Sequence, residues 1–243
     1  MNFPEIEPLA VKSLKEVCIA RLESLILSGQ LQIGERLPSE RDLAVKLGVS
    51  RPVLHEAIVD LSNKGLVNIQ PRRGVYISDY RVTGSFALLS SLLSYHQGGL
   101  DRDFQRSLMD MRRVLETETA RLAALNGSPE QIEQLRRNIE LERISKAESV
   151  EALTGSDFDF HLQVALASHN LIYPLIMNSF KPVYTNLTGQ FFAYLSRTSG
   201  LEELFTRHKQ LVDAIESHQP ENAARIMHDM LEQGERFFLD HTD

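Results

Sequence analysis

The chain has 243 residues, 42% of them apolar, a single cysteine (Cys18) and a formal net charge of −7. That length accommodates one large domain or two smaller ones with separate cores; one cysteine excludes an internal disulfide and a cysteine-built zinc site, and fits a reducing cytoplasm. No uncharged apolar run approaches the roughly 18 residues that suggest a membrane helix, and no leader pattern is visible, so a soluble cytoplasmic protein without a membrane partner is expected.

The acidity is uneven. Residues 1–80 carry 10 Lys/Arg and 10 Asp/Glu, whereas the rest of the chain carries 16 and 23. Local charge placement decides nucleic-acid binding, so the total does not exclude it. In "VKSLKEVCIARLESLILSG" apolar residues recur at helical spacing (Leu14, Val17, Cys18, Leu22, Leu25, Ile26), and Gly29 follows as a stop. Ser39 then stands at an N-cap position with Asp42 three residues on, and Gly48 ends that helix. Ser50 can cap the next, "RPVLHEAIVDLSN", with Pro52 in the tolerant first turn and Gly65 after its end. "LVNIQPRRGVYIS" reads as two strands around a basic tip, Arg72-Arg73-Gly74.

Two helices joined by a tight turn and followed by a hairpin make a winged helix-turn-helix. Arg41 opens its first helix, Arg51 opens the second, and Arg72 and Arg73 sit at the wing tip, where side chains reach base edges or phosphates. "LSGQLQIGERLPSERDLAVKLGVSRPVLHEAIVDLSNKGLVNIQPRRGVYIS" resembles the DNA-binding domain of GntR-family transcription regulators. Its markers are Gly34, Leu37-Pro38-Ser39-Glu40-Arg41, Leu43-Ala44, Ser50-Arg51, Glu56-Ala57, Leu61, Gly65-Leu66 and Arg73-Gly74. The resemblance implies contacts to double-stranded operator DNA from the region of Ser39, Arg41, Ser50, Arg51, Pro52, His55, Arg72, Arg73 and Gly74. His55 departs from the family's usual arginine, and a neutral imidazole cannot make the bidentate guanine contact of a guanidinium, so a different operator is expected.

Beyond residue 80 no strand is predicted. Residues 81–99 read as an apolar connecting helix ended by Gly98-Gly99. A long amphipathic helix then runs to Asn126-Gly127, and "SPEQ" (Ser128 to Gln131) starts another with an N-cap, a first-turn proline and a capping-box glutamine. Further helices are expected near 148–168, 171–197, 201–217 and 220–240. The fold class is therefore mainly α, with a winged helix-turn-helix over 1–80, a connector over 81–99 and an antiparallel helical bundle over 100–243 for dimerisation and effector binding.

"MRRVLETETARLAA", "DFDFHLQVALASHN" and "RHKQLVDAIESHQPENAARIMHDML" resemble the helical effector domain of the FadR branch of that family. In many such domains an aspartate and three histidines bind a metal beside a small carboxylate. The resemblance places Asp157, His161 and His208 at three ligand positions, for zinc, manganese or nickel, and Arg112 at an effector-facing one. The last histidine position holds Met230, a soft ligand ill-suited to zinc or manganese beside a carboxylate. Helical periodicity turns His228 onto the opposite, polar stripe. "HNLIYPLIMNSFKPVYTNLTGQFF" is similar instead to metal-free, acyl-CoA-responsive members, which brings Tyr184 and Asn186 forward as effector contacts.

Two functions follow. The first is a homodimeric, metabolite-responsive transcription regulator, expected to be a repressor, sensing a carboxylate through a metal or acyl-CoA without one. The second is a metal-dependent enzyme built on Asp157, His161 and His208. Against the enzyme, the chain lacks His-Glu-x-x-His, Gly-x-Ser-x-Gly and phosphate-loop motifs and shows no obvious second carboxylate placed as a base.

Overall fold

The computed structural model describes residues 12–96, 102–197 and 200–241. They divide into two compact units, Met1–Gln97 and Gly98–Asp243. The first begins with α1 (Leu14–Leu27), which starts at a complete capping box between Ser13 and Glu16. Its buried face is Cys18, Leu22, Glu23 and Ile26. Leu14 and Val17 continue the same spacing but remain exposed. Next come α2 (Glu40–Leu47) and α3 (Arg51–Asn63), separated by a turn in which Gly48 takes φ +66°. Ser39 caps α2 through the Asp42 amide, whereas Ser50 occupies the N-cap of α3 without bonding to it.

β1 (Val67–Gln70) and β2 (Gly74–Ile77) form the antiparallel hairpin, closing on the pair Gln70 and Gly74. The segment before α2 pairs with the other edge of β2: the Leu37 amide donates to the Val75 carbonyl at 2.9 Å. Leu54, Ala57, Ile58 and Leu61 on one face of α3 pack with Leu22, Leu66 and Ile77 to make this unit's core. The opposite face of α3 is left exposed at Arg51, Pro52, His55 and Glu56.

The connector differs from the continuous helix expected over 81–99. A single turn, α4 (Tyr80–Thr83), is separated by Gly84 from α5 (Ala87–Tyr95), and both belong to the first unit. Gly98 and Gly99 lie outside the described residues. The break arises because this segment closes the C-terminal end of α3. The Ser85 hydroxyl donates to the Asn63 carbonyl at 3.0 Å, the Ser85 amide to Lys64 at 3.1 Å, and the Thr83 hydroxyl to Gly65 at 2.8 Å. Gly65 has φ +79°, and a Cβ there would lie 2.0 Å from the Thr83 carbonyl oxygen. Behind this cap, Lys64 Nζ donates to Glu23 Oε1 at 2.6 Å and to the Ser91 hydroxyl at 2.9 Å, and Ser91 donates to Glu23 at 2.7 Å. One buried polar knot thus ties α1, α3 and α5.

The second unit is helical throughout its described residues: α6 (Arg102–Asn126), α7 (Pro129–Glu148), α8 (Val150–Ala167), α9 (Tyr173–Ser179), α10 (Lys181–Leu195), α11 (Gly200–Glu216) and α12 (Pro220–His241). α12 packs along α6, and α7 along α8. Ala120, Ala123, Ala124, Ala167, Ala214 and Ala223 are buried there among Phe160, Val164, Leu211 and Ile215. The helix expected over 171–197 is two, because Pro182 has no amide hydrogen to continue the ladder and buried Phe180 takes φ −110°, ψ 14°.

The knot predicts a clear asymmetry. Lys64→Ala leaves the Glu23 carboxylate with the Ser91 hydroxyl as its remaining donor and should cost roughly 2 kcal/mol, speeding hydrogen exchange of the α1 amides about thirtyfold in the full chain. The apolar double variant Glu23→Leu/Lys64→Met should exchange close to the wild-type rate, since matched removal of both charges leaves none stranded.

Candidate functional site

Two sets of side chains carry chemistry. The first lies on the exposed edge of the winged unit. Arg41 is exposed on α2, and Arg51, Pro52 and His55 are exposed along the first turns of α3. Glu40 draws two of them together: Arg51 Nε lies 3.6 Å from one carboxylate oxygen and His55 Nδ1 3.1 Å from the other. At the wing tip Arg72 has φ +64° and is exposed with Arg73. Gly74, at φ +112°, admits the Arg36 guanidinium, which would lie 2.9 Å from any added Cβ. Helix N-terminus and wing tip therefore present guanidinium groups to solvent, the residue type and placement that phosphates and base edges require.

The second set is buried in the helical unit. On α8, Asp157 and His161 share a face at i and i+4, and α11 supplies His208; each is 4% exposed or less. His161 Nε2 and His208 Nε2 each lie 3.8 Å from Asp157 Oδ1. One potential ligand atom from each of the three residues falls within 4.8 Å of the others. The other Asp157 oxygen accepts the Tyr184 hydroxyl of α10 at 3.0 Å. The 3.8 Å gaps are too wide for hydrogen bonds, and His208 Nε2 is buried with no hydrogen-bond partner.

Behind each histidine stands a glutamate. His208 Nδ1 meets Glu142 Oε2, on α7, at 2.8 Å, and His161 Nδ1 lies 2.6 Å from Glu116 Oε2, on α6. Arg112 Nε, one turn from Glu116, donates to Glu116 Oε1 at 2.7 Å, and its guanidinium carbon sits 3.9 Å from the centroid of the Tyr184 ring. Burial alone would raise the Glu116 pKa, but Arg112 and His161 outweigh it and hold the carboxyl down at about 2. Burial works against the charge of Arg112, yet Glu116 keeps its pKa above arginine's ordinary value. Burial pushes Glu142 up against the pull of His208. Burial would depress His208, but Glu142 more than reverses it. Tyr184 is raised well above a normal phenol, first by burial, so it remains a donor to Asp157.

Arg112, Asp157, His161 and His208 line a cavity of about 40 Å³ with Met109, Thr188, Phe191, Phe192, Leu204, Met230, Leu231 and Gly234, while Glu116, Glu142 and Tyr184 stand behind that wall. Met230 faces it, and His228 is turned aside, 3.4 Å from Asp229. The structure does not bring Asn186 there: its side chain accepts from Gln190 at 3.2 Å, and Thr188, one turn beyond Tyr184, takes that wall. Glu142 escaped sequence reasoning, although it stands on the apolar stripe of α7 with Ile132, Leu135 and Ile139. A carboxylate on a buried stripe is the signal that could have found it. A larger open groove of about 740 Å³ runs between α11 and α12. Its arginines, Arg207 and Arg225, are already paired with Glu203 and Asp229.

The donor set fits a divalent cation. Two imidazole nitrogens and one carboxylate oxygen converge, each histidine's other nitrogen faces a carboxylate that can orient the ring, and one converging nitrogen has no other partner. The gaps between these atoms suit metal bonds of about 2.1 Å.

Comparison with known proteins identifies the two domains that carry these sets. The model for bacterial regulatory proteins of the gntR family matches residues 14–77, and the FCD domain model matches residues 107–233. The HTH-type transcriptional regulator Mce2R of Mycobacterium tuberculosis is 31% identical over 231 residues, covering 93% of this chain and 92% of that protein. The HTH-type transcriptional repressor NanR of Escherichia coli is 30% identical over 227 residues, covering 90% and 82%. A solved structure of Lar, which controls expression of the Listeria monocytogenes agr system, covers 96% of this chain and 100% of its own at 19% identity, with a TM-score of 0.63, a likeness of fold. The chain belongs to the gntR family of bacterial regulatory proteins: it is a DNA-binding transcription regulator, not an enzyme, and its helical unit is an FCD effector domain.

Proposed function

We propose that this regulator is a homodimeric, cytoplasmic repressor whose FCD domain holds a divalent metal ion and, beside it, a small carboxylate effector. The convergence of His161 Nε2, His208 Nε2 and Asp157 Oδ1 on one buried cavity, with Arg112 in its wall, carries this reading. Asp157, His161 and His208 would be the ligands, and a bound cation would supply positive charge to an anionic effector. Arg112 adds a second positive group, held charged by Glu116. Tyr184 and Glu142 fix the orientations of Asp157 and His208.

The cavity of about 40 Å³ favours a small effector. An acyl chain would need far more room, since pockets for larger ligands run to roughly 300 Å³ and above. Phe191, Phe192, Leu204 and Leu231 close the walls along which such a chain would have to pass. The metal-linked carboxylate is therefore preferred to acyl-CoA. The relative NanR is called a repressor, which supports repression here. The effector regulates only by binding the DNA-competent and DNA-incompetent states with unequal affinity.

On the DNA side, Arg51 and His55 at the exposed start of α3 read base edges. Ser39, Arg41, Ser50 and Pro52 lie at or beside the helix starts that meet the backbone, and Arg72, Arg73 and Gly74 form the wing contact. Arg51→Ala should cost about 1–3 kcal/mol of preference for the selected operator over unrelated DNA, measured by fluorescence anisotropy at fixed salt. Unchanged preference contradicts the assignment of α3. His55→Arg should shift the consensus recovered from a random duplex library toward guanine at one position in each half-site. An identical consensus would remove His55 from base readout.

For the helical unit, chain purified without added metal or chelator should contain close to one zinc, manganese or nickel ion by mass spectrometry of the elements. His161→Ala/His208→Ala should contain none. Equal metal content in the two proteins would place the ion elsewhere.

A further inference from the structure

The two histidines are braced differently, and the difference has a consequence for regulation. His208 has a completed contact to Glu142 at 2.8 Å, and neither oxygen of that glutamate is paired with an arginine or lysine among the described residues. Glu116 is shared. Its Oε1 accepts Arg112 Nε at 2.7 Å, while Oε2 lies 2.6 Å from His161 Nδ1. Arg112, Glu116 and His161 are 5%, 1% and 4% exposed, so these contacts are shielded from bulk solvent. Glu116 thus divides its two oxygens between the arginine and the histidine.

We propose that Glu116 is a positioning residue that couples Arg112 to His161, so that engagement of Arg112 by an anionic ligand and the affinity of the Asp157–His161–His208 site for a divalent cation change together. The proposal rests on the metal reading above and adds to it the path by which cation and ligand sense each other. An anion at Arg112 competes with Glu116 for the guanidinium. Released from that bond, the carboxylate turns fully to His161 Nδ1, which orients the ring and makes Nε2 a better ligand, as outer carboxylates do for metal-bound histidines. Coupling of this kind is reciprocal: the cation must raise affinity for the anion by the same factor. His208, whose glutamate has no competing cation, supplies the fixed half of the site.

The test is a double-mutant cycle on zinc affinity, measured by competition with a chromogenic chelator on the metal-stripped full chain. Glu116→Gln, nearly isosteric, should weaken zinc binding about 10–100-fold. Arg112→Met in the wild-type background should tighten it about fivefold or more, and should change nothing in the Glu116→Gln background. Far-UV circular dichroism checks that each variant is folded. Arg112→Gln, which also removes the charge but stays polar, runs the same cycle should the methionine variant unfold. Equal effects of the Arg112 substitution in both backgrounds, or wild-type zinc affinity in Glu116→Gln, overturn the coupling while leaving the metal site in place. A wild-type chain that binds zinc no better than His161→Ala overturns the metal reading and the coupling with it.

Discussion

A charge removed from water must be paired or shared, and the centre of the helical unit buries six groups able to carry one. Arg112, Glu116, Glu142, Asp157, His161 and His208 are each 5% exposed or less. Stranding any one of them would cost several kcal/mol, so the helices that carry them are constrained in rotation as well as position. α6 must turn Arg112 and Glu116 inward together, α8 must do the same for Asp157 and His161, and α7 and α11 must bring Glu142 and His208 into register. The small residues between these helices, among them Ala120, Ala123 and Ala214, allow the close approach that makes such pairing possible. Even so, pairing within the protein is incomplete at His208 Nε2, and the proposed divalent cation would complete it.

The winged unit meets the opposite requirement. Its arginines stay in water, and the buried knot of Glu23, Lys64 and Ser91 does not read DNA but holds the far end of the reading helix. Ser85 donates to the last carbonyl of α3 and Thr83 to Gly65 just beyond it, so the helix that exposes Arg51 at one end is fixed by the connector at the other. Base readout depends on sub-ångström placement of a few side chains, which a capped, knotted helix would supply to the contacts proposed for Arg51 and His55.

Much of this was legible in the sequence because it is local. Caps at Ser39 and Ser128, the left-handed glycines, the hairpin around Arg72-Arg73 and the i, i+4 pairing of Asp157 with His161 all follow from spacing within one element. Facing across the cavity was legible only where periodicity was strong, as for Met230 against His228 on α12. What escaped was decided between elements. Glu142 braces a histidine 66 positions away. Asn186 and Thr188 differ by two positions on α10, and only the rotation fixed by Tyr184 against Asp157 decides which reaches the cavity. The connector breaks because carbonyls at the end of α3 need donors, a demand invisible in its own apolar pattern. Pro182 lies at the break after α9, yet the continuous apolar pattern around it reads as one helix over 171–197.

The central claim is that the buried cluster is completed by a divalent cation. Thermal unfolding of the metal-stripped full chain, followed by circular dichroism with and without zinc, tests it most directly. A cation that binds the folded helical unit at one hundred times its dissociation constant stabilises it by about 2.7 kcal/mol. The account predicts a zinc-dependent rise in the helical unit's unfolding temperature that vanishes in Asp157→Asn/His208→Ala. An unfolding temperature indifferent to zinc in the wild-type chain, or a rise that survives in the double variant, would contradict it.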